Sequence, residues 1–224
     1  MAKDLSFTEE NYLKAIYHLS DGGAQLVNTN ALSESMQTTP ASTNDMVKRL
    51  AQKKLIGYQK YKGASLLPNG KAIALKIIRK HRLWEVFLVE KLDFKWDEVH
   101  EIAEQLEHIQ SPILIQRLDA FLGRPTIDPH GDPIPDEHGE MKQTIKAPVS
   151  NLDIGTKGLI VAVSNDDSSL LKHLDSIGIK LGAKIRILNR MEFDGSVAVK
   201  VDEQQEQFIS KIIAENILIT VLDS

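Results

Sequence analysis

The amino-acid sequence predicts a mainly α-helical protein that ends in a small β-barrel. Apolar residues recur at helical spacing through most of the first 123 residues, which is typical of amphipathic helices. Five prolines interrupt this pattern between residues 124 and 148, and beyond them apolar residues alternate or run in short strand-like groups. With 224 residues, of which 42% are hydrophobic, the chain is long enough to bury the cores of two or three small domains.

The N-terminal part is expected to fold as three helices followed by a β-hairpin. The predicted helices lie at 8–20, about 29–36 and 40–56, and the hairpin turns at Lys62-Gly63. Thr8 is the expected N-cap of the first helix, and Thr39 followed by Pro40 is a favourable start for the third. Three helices and a hairpin in this order are typical of a winged helix-turn-helix domain, which we assign to residues 1–72.

The rest of the chain divides into three further segments. Long helices are predicted at 71–92 and 97–109, followed by a short one at 112–123. Strands are predicted in KGLIVAVS, AKIRILNRM, SVAVKVD and NILITVL, with a helix in SSLLKHLDSIG. We therefore expect a helical domain at 73–123, a proline-rich tether at 124–150 and the barrel at 151–224.

Charge is distributed unevenly along the chain. Residues 46–80 contain ten Lys or Arg and no acidic residue, whereas residues 85–107 contain eight acidic residues and two lysines. A basic block followed by an acidic block indicates two different partners, a polyanion for the first and a cation for the second. The net charge of −4 does not oppose a polyanion, because binding responds to the local patch.

The basic block contains the predicted DNA-contacting helix. Short polar side chains early in a helix can approach base edges, and lysines farther along can reach phosphates. The lysines of the hairpin would lie along a groove. The residues expected to contact DNA are Thr39, Pro40, Ala41, Ser42, Asn44, Lys48, Lys60 and Lys62. The alternative is an ordinary solvated helix face, which leaves the absence of acidic residues unexplained.

The acidic block contains a pattern of metal-binding side chains. In HEIAEQLEH, Glu104 lies four residues from His100, three from Glu107 and four from His108, so all four can share one stripe of a helix. Just upstream, His81 and Glu85 are also four residues apart. These six donors predict a transition-metal site on two helices, although a solvated charged helix face carrying histidines would show similar spacing.

Several classes of site and location are excluded or disfavoured by composition. The chain has no cysteine, so it has neither disulfides nor thiolate ligands, and any metal is held by nitrogen and oxygen. No apolar run approaches the length of a membrane span, and the first residues have no apolar signal core. We therefore expect a cytoplasmic protein without a membrane partner.

The chain resembles the iron- and manganese-dependent repressors of the diphtheria-toxin-repressor type over essentially its whole length. The resemblance rests on TEENYLKAIYHL, RKHRLWEVFLVEKL, VHEIAEQLEHIQS and the terminal LGAKIRILNR segment. The final domain is similar to the SH3-like, FeoA-type module of longer members, with Ile177-Gly178-Ile179 and Leu181-Gly182 as its clearest signature. The resemblance implies a homodimeric, metal-activated regulator, a repressor of manganese or iron uptake genes, that binds a palindromic operator in double-stranded DNA.

The resemblance also implies two metal sites. The positions matching the family's regulatory site are Asn11, Glu104, Glu107 and His108. The positions matching its ancillary site are His81, Glu85 and His100, with Asp167 of the barrel as a further candidate and Asp166 as an equal alternative. Two other histidines, His130 and His138, are expected to be solvated residues of the tether.

The resemblance does not settle the identity of the ion. Iron-type members have a cysteine where Glu104 stands and a methionine where Asn11 stands, so the donor set here favours manganese. Manganese-type members, however, have an aspartate at the Asn11 position and a glutamate where this chain has Lys14. We therefore expect Mn²⁺ or Fe²⁺, with manganese favoured, and Zn²⁺, Co²⁺ or Ni²⁺ as further ions in vitro.

Other functional classes fit the sequence less well. A metallohydrolase would need a separate general base, and the chain has no HExxH motif, phosphate loop or nucleophile elbow. A metal-storage protein would leave the basic block unexplained. The remaining alternative is a winged-helix regulator whose metal sites are structural or that senses another ligand. Segments 83–94 and 112–122 contain more apolar residues than one core-facing stripe needs, which is consistent with dimerisation; packing inside the monomer is the alternative.

Overall fold

The computed structural model describes residues 5–59, 62–141, 145–202 and 204–222. The chain divides into two compact units. Unit 1 comprises Met1–His81, Leu106–Pro112 and Pro135–Glu140, and unit 2 comprises Arg82–Gln105, Ile113–Ile134 and Met141–Ser224. In the described part of the chain, no helix is both long enough and apolar enough to cross a lipid bilayer.

Unit 1 contains the predicted winged helix-turn-helix. Its elements are α1 (Phe7–Leu19), α2 (Thr29–Ser35), α3 (Pro40–Gln52), β1 (Ile56–Gln59) and β2 (Gly63–Leu66), with β1 and β2 paired antiparallel. Leu13, Ile16 and Leu50 are completely buried between the helices and the hairpin. The expected wing residue Lys60 lies outside the described residues.

The helix starts of unit 1 follow local capping chemistry. Thr39 caps α3 by accepting a hydrogen bond from the backbone N–H of Ser42, and Pro40 occupies the first turn as predicted. The predicted cap of α1, Thr8, is wrong. Ser6 caps this helix instead, because its hydroxyl accepts from the N–H of Glu9 while the Glu9 carboxylate accepts from the N–H of Ser6.

The long helix α4 (Pro68–Leu92) begins three residues earlier than predicted. Pro68 does not close the hairpin but starts the helix, where its missing N–H costs nothing. Gly70 lies against the backbone of Leu55, and a Cβ there would stand 2.0 Å from the Leu55 carbonyl oxygen. Close packing of α4 on the winged domain therefore requires glycine at this position.

The helix expected at 97–109 is shorter than predicted. Helix α5 spans His100–Leu106, and α6 spans Pro112–Phe121. After α5 the backbone N–H of Ile109 donates to the carbonyl of Leu106, so residues 107 and 108 lie in a turn rather than on the helix. The predicted helical stripe of four ligands is therefore interrupted after Leu106.

The C-terminal domain lies in unit 2 and is built on a six-stranded antiparallel sheet with the order β3-β8-β4-β5-β6-β7. Its elements are β3 (Ala147–Pro148), β4 (Lys157–Val163), α7 (Ser168–Ser176), β5 (Lys184–Arg190), β6 (Val197–Val201), β7 (Gln207–Ile209), α8 (Lys211–Asn216) and β8 (Ile217–Val221). The sheet curls around buried Ile187, Leu171 and Ile217 but remains open, with β3 and β7 at its two edges. The strands β3 and β7 and the helix α8 were not predicted, since each has six residues or fewer.

Residues 126–134 form an ordered loop rather than a solvated tether. The N–H of Ile134 donates to the carbonyl of Thr126, and the N–H of Asp128 donates to that of Asp132. Gly131 has φ +84°, and a Cβ on it would stand 1.8 Å from the carbonyl oxygen of Val161. The loop is therefore packed directly on strand β4.

Candidate metal centres and DNA-contacting helix

In unit 1, His108 is held by the first helix of the winged domain. Its Nδ1 lies 2.6 Å from Oε2 of Glu10, and both side chains are buried. The other Glu10 oxygen accepts a hydrogen bond of 2.8 Å from the amide of Gln110. When Nδ1 carries the proton, Nε2 keeps a free lone pair, and it lies 3.8 Å from Oε1 of Glu107. A carboxylate that orients a histidine in this way is the usual support of a metal ligand.

Glu107 is a completely buried carboxylate between two partners. Its Oε2 lies 2.6 Å from Nδ1 of His81, and its two oxygens lie 2.7 and 2.8 Å from Nζ of Lys14. Burial acts to raise the pKa of Glu107, but the hydrogen bond to His81 and the charge of Lys14 outweigh burial and hold that pKa below its usual value. Glu107 is therefore a buried anionic group of unit 1.

Asn11 has a buried amide oxygen of the kind that a metal ion can bind. It lies on α1 between Glu10 and Lys14, and its Oδ1 is buried without a hydrogen-bond partner among the described residues. A buried amide oxygen without a donor is costly unless something else binds it. Together with a carboxylate and an imidazole nitrogen, this oxygen fits a hard or borderline divalent cation, so the residues of unit 1 are suited to the metal that the sequence pattern predicts.

Unit 2 contains a second group of donors. Glu85, Asp128 and His130 are all buried, and one ligand atom of each lies within 4.8 Å of the others. Nδ1 of His130 is 3.7 Å from Oε1 of Glu85, and this partnership outweighs burial and raises the pKa of His130 to about 9. Burial and the neighbouring Glu85 raise the pKa of Asp128. Two carboxylates and one imidazole in a buried group are a suitable cation site.

His100 lies beside this group. Its Nδ1 is 2.9 Å from Asp166 and 3.8 Å from Glu85, and its Nε2 is 3.7 Å from Glu104. Interactions with Asp166 and Glu85 raise the pKa of His100 to about 10, and the close pairing with His100 lowers the pKa of Asp166 to about 2. His100 is therefore paired with the carboxylates that surround it.

Two expectations about the residues of unit 2 change. His130 was expected to be solvated, but only 4% of it is exposed, and its Nε2 lies 2.8 Å from the carbonyl oxygen of Trp96. The two rings are also stacked, with centroids 6.2 Å apart. Asp167 caps α7 by accepting from the N–H groups of Ser169 and Leu170, so its neighbour Asp166 is the barrel residue that contacts His100.

Arg82 fixes the loop that carries His130. Its guanidinium lies 3.3 Å from Asp128 and 3.2 Å from Asp132, and it donates to the carbonyl of Pro133. The backbone N–H groups of His130 and Asp132 both donate to Oδ1 of Asp128. No periodic pattern in the sequence predicts this site, although an acidic residue two positions before a histidine in a Gly- and Pro-containing loop is compatible with ligation.

The predicted ligands are distributed over both units. Unit 1 contains Asn11, His81, Glu107 and His108, and unit 2 contains Glu85, His100, Glu104, Asp166 and Asp167. Within unit 1, contacts join His81, Glu107 and His108. Within unit 2, contacts join Glu85, His100 and Glu104. The shared ligation of Glu104 with Glu107 and His108, and of His81 with Glu85 and His100, stays a prediction from the sequence.

Helix α3 presents the predicted DNA-contacting residues. Buried Thr43, Val47 and Leu50 fix one face of the helix in the core of unit 1. The opposite side carries the predicted contacts, of which Thr39, Pro40, Ala41, Ser42 and Lys48 are exposed and Asn44 is half-buried, while Lys62 is exposed at the hairpin. Lys48 lies 3.5 Å from Asp45 in a solvated pair. Such a pair is weak enough for a phosphate to replace the carboxylate.

The same helix is linked directly to α1. The hydroxyl of Tyr12 lies 3.1 Å from that of buried Thr43, and Nζ of Lys53 lies 2.6 Å from Glu9. Burial acts to raise the pKa of Glu9, but the hydrogen bond from Lys53 outweighs it and lowers that pKa. Helix α1 therefore contacts both the predicted metal ligands of unit 1 and the predicted DNA-contacting helix.

Comparisons with known proteins match three domain families along the chain. The N-terminal DNA binding domain of iron dependent repressors matches residues 4–64, their metal binding and dimerisation domain matches residues 67–136, and the FeoA domain matches residues 147–221. A solved manganese-dependent transcriptional repressor in complex with manganese is 33% identical, with a TM-score of 0.88 over 96% of this chain and 100% of that one. The chain belongs to the iron-dependent repressor family.

Other members of the family show the same likeness. The solved structure of ScaR with bound Cd²⁺ is 31% identical over 96% of this chain and 99% of that chain, with a TM-score of 0.80. The diphtheria toxin repressor of Corynebacterium efficiens is 28% identical over 200 residues, which is 84% of this chain and 85% of that protein. The iron-dependent repressor IdeR of Mycobacterium leprae is 33% identical over 132 residues, 59% of this chain, and the match spans only 57% of IdeR. The family is one of DNA-binding transcriptional repressors and not of enzymes, so the metallohydrolase interpretation is set aside.

Proposed function

We propose that this protein is a metal-dependent transcriptional repressor that binds operator DNA when a divalent cation occupies its regulatory site. The observation that carries the proposal is the position of α1. This helix contacts His108 through Glu10 and contacts the predicted recognition helix through the Tyr12–Thr43 hydrogen bond. A movement of His108 can therefore reach the predicted recognition helix through two hydrogen-bonded contacts, His108–Glu10 and Tyr12–Thr43.

The ligands that we propose for the regulatory site are those implied by the resemblance, Asn11, Glu104, Glu107 and His108. A bound divalent cation would supply a cross-link between α1 and the segment that follows α5. Asn11 contributes the otherwise unsatisfied amide oxygen, His108 contributes Nε2, and Glu10 keeps the His108 ring oriented. Because metal can favour only the conformation that it binds better, these ligands must be closer to their bound geometry in the DNA-competent state.

A second ion would bind in unit 2 through Glu85, Asp128 and His130. All three side chains are buried, and the loop that carries two of them is fixed by Arg82. The ancillary set implied by the resemblance, His81, Glu85, His100 and Asp167, shares Glu85 with this group and stays a prediction. His100 contacts Asp166 and Glu85, so it stays a candidate ligand of the second ion.

We propose Mn²⁺ as the favoured signal and Fe²⁺ as the alternative. All candidate donors are oxygen or imidazole nitrogen, and the chain has no cysteine, a set that suits manganese better than a softer ion. The solved relatives include one in complex with manganese and others with Cd²⁺ and Zn²⁺. The choice in the cell also depends on ion availability.

The repressor would act as a homodimer on a palindromic operator in the cytoplasm. The family model for this region is a metal binding and dimerisation domain. Helix α6 supports it, since its apolar Ile113 and Phe121 are 60% and 64% exposed, and a second copy would cover such side chains. Two recognition helices related by a twofold axis then match the two halves of a palindrome.

The proposal is tested by the anisotropy of a labelled palindromic promoter fragment from the same genome. Mn²⁺, anaerobic Fe²⁺ and Zn²⁺ are titrated separately, with a chelator control. We expect metal to tighten DNA binding, and His108→Ala and Glu104→Ala to abolish this response while the circular dichroism spectrum is kept. Lys211→Met, a surface change on α8, is the matched control, and metal should tighten its DNA binding as it does for the wild type.

The alternative is a winged-helix regulator whose metal groups are structural or that senses another ligand. It predicts tight DNA binding that neither metal nor chelator changes. An unaltered metal response in both His108→Ala and Glu104→Ala would likewise overturn the regulatory-site assignment.

A further inference from the structure

The carboxylate of Glu107 already holds a cation that belongs to the protein itself. Nζ of Lys14 lies 2.7 Å from Oε1 and 2.8 Å from Oε2, so the ammonium bridges both oxygens. Glu107 is completely buried and the Lys14 side chain is only 12% exposed, so water screens this pair weakly. Both oxygens of a proposed metal ligand are therefore engaged by an ammonium group.

The neighbouring groups show why a cation is needed there. His81 contacts the same carboxylate, Glu10 lies beside His108, and Lys80 interacts electrostatically with both Glu10 and Glu107. A buried carboxylate without a partner is strongly disfavoured, so Lys14 and His81 stabilise Glu107 in the protein before any metal binds. A metal ion that takes up an oxygen of Glu107 replaces part of this interaction.

We infer that Lys14 is a built-in competitor of the metal ion, which holds Glu107 in the metal-free protein and sets the ion concentration at which the regulatory site fills. The inference rests on the proposed function, because it takes Glu107 as a metal ligand. Metal binding exchanges an ammonium–carboxylate pair for a metal–carboxylate bond, and the ammonium moves away from Glu107. The competition raises the concentration at which the repressor responds without altering the ligands themselves.

Removing the ammonium should therefore tighten metal binding and, at the same time, destabilise the metal-free protein. In the full-length protein, Lys14→Met keeps the length and apolar stem of the side chain but removes its charge. Binding of Mn²⁺ should become about tenfold tighter, because a charge-assisted hydrogen bond no longer has to be replaced. The melting temperature in excess chelator should fall, because Glu107 has lost a partner. A residue that only supported the fold would lower the melting temperature and would weaken Mn²⁺ binding or leave it unchanged.

Three further variants complete the test. Lys14→Gln is neutral but can still donate a hydrogen bond, so it should also tighten Mn²⁺ binding and serves if the methionine variant does not fold. Lys14→Arg keeps the charge and should bind Mn²⁺ as the wild type does. Lys211→Met removes the lysine of an exposed pair with Glu215 and should change neither measurement. Binding is measured by titration calorimetry and the melting temperature by circular dichroism.

The outcomes separate this inference from the proposed function. If the wild type binds Mn²⁺ and His108→Ala weakens that binding, but neither neutral variant at Lys14 tightens it, the competitor role is wrong and the repressor proposal stands. If the wild type binds neither Mn²⁺ nor Fe²⁺, both are overturned. Tighter binding in both neutral variants with wild-type binding in Lys14→Arg supports the inference.

Discussion

Nδ1 of His108 lies 2.6 Å from Oε2 of Glu10, although 98 positions separate the two residues along the chain. The contact joins the turn that follows α5 to the first helix of the winged domain, within one compact unit. It also determines which ring nitrogen faces Glu107 and is available to an ion. Glu10 was absent from the ligand set expected from the sequence, and its role here is to position His108.

Replacing Glu10 with alanine should weaken metal binding without removing a ligand. The ring of His108 loses the carboxylate that orients it, a change that typically costs about 10-fold to 100-fold in metal affinity. Titration calorimetry with Mn²⁺ measures the effect. Glu34→Ala, an exposed acid on α2, is the control. Equal affinity of the Glu10 variant and the wild type would show that His108 is oriented by other contacts.

Replacing Lys48 with alanine should weaken DNA binding uniformly across sequences. The side chain is exposed on α3, and removing one phosphate contact reduces the slope of log affinity against log salt by about one.

Asn44→Ala should instead relax the sequence preference of DNA binding, because an amide can read a base edge. Anisotropy with operator and scrambled DNA at several salt concentrations distinguishes the two. Identical salt slopes for Lys48→Ala and the wild type would place this lysine away from the phosphates.

Replacing Gly131 with alanine should destabilise unit 2. The residue has φ +84°, and the new Cβ would meet the backbone carbonyl of Val161, which cannot move independently of strand β4. Gly182→Ala is the matched control, because φ is +82° there and a Cβ would have no neighbour within 4 Å. The difference between the two melting temperatures isolates the steric effect, and equal melting temperatures would contradict the packing of this loop on β4.

Replacing Ser6 with alanine should destabilise unit 1 by about 1 kcal/mol, since the variant loses the side chain that caps α1. Amide hydrogen exchange at the start of α1 should accelerate more than exchange in the strands of unit 2. Thr8→Ala is an instructive comparison, because Thr8 lies inside the helix and does not cap it. A larger effect at Thr8 than at Ser6 would restore the cap expected from the sequence.

The order of helices and strands could be predicted because each long element has a clear periodicity. Helix α3 begins at its predicted cap, Thr39, and the four longest strands of the C-terminal sheet lie within the segments predicted for them. Helix ends were less predictable. For α1, Ser6 and Glu9 have the spacing of a capping box, and this pair rather than Thr8 determines where the helix begins.

The donors of unit 2 were harder to predict than those of unit 1. His130 and Asp128 lie in a loop without periodicity, and their burial depends on Arg82 and on packing against β4, both of which are tertiary contacts. The choice between Asp166 and Asp167 had the same difficulty. Adjacent residues point in different directions, and only the capping of α7 by Asp167 determines which one is left to contact His100.

The stacking of Trp96 on His130 gives unit 2 an optical reporter. The chain has only two tryptophans, and the indole N–H of Trp96 donates to Asp175 while its ring lies 6.2 Å from the imidazole of His130. Trp96 therefore fluoresces beside the proposed second ion, and a paramagnetic ion such as Mn²⁺ quenches fluorescence at such short range. The other tryptophan, Trp84, packs edge-on against Phe87. Filling of the second site can thus be followed in the unlabelled protein.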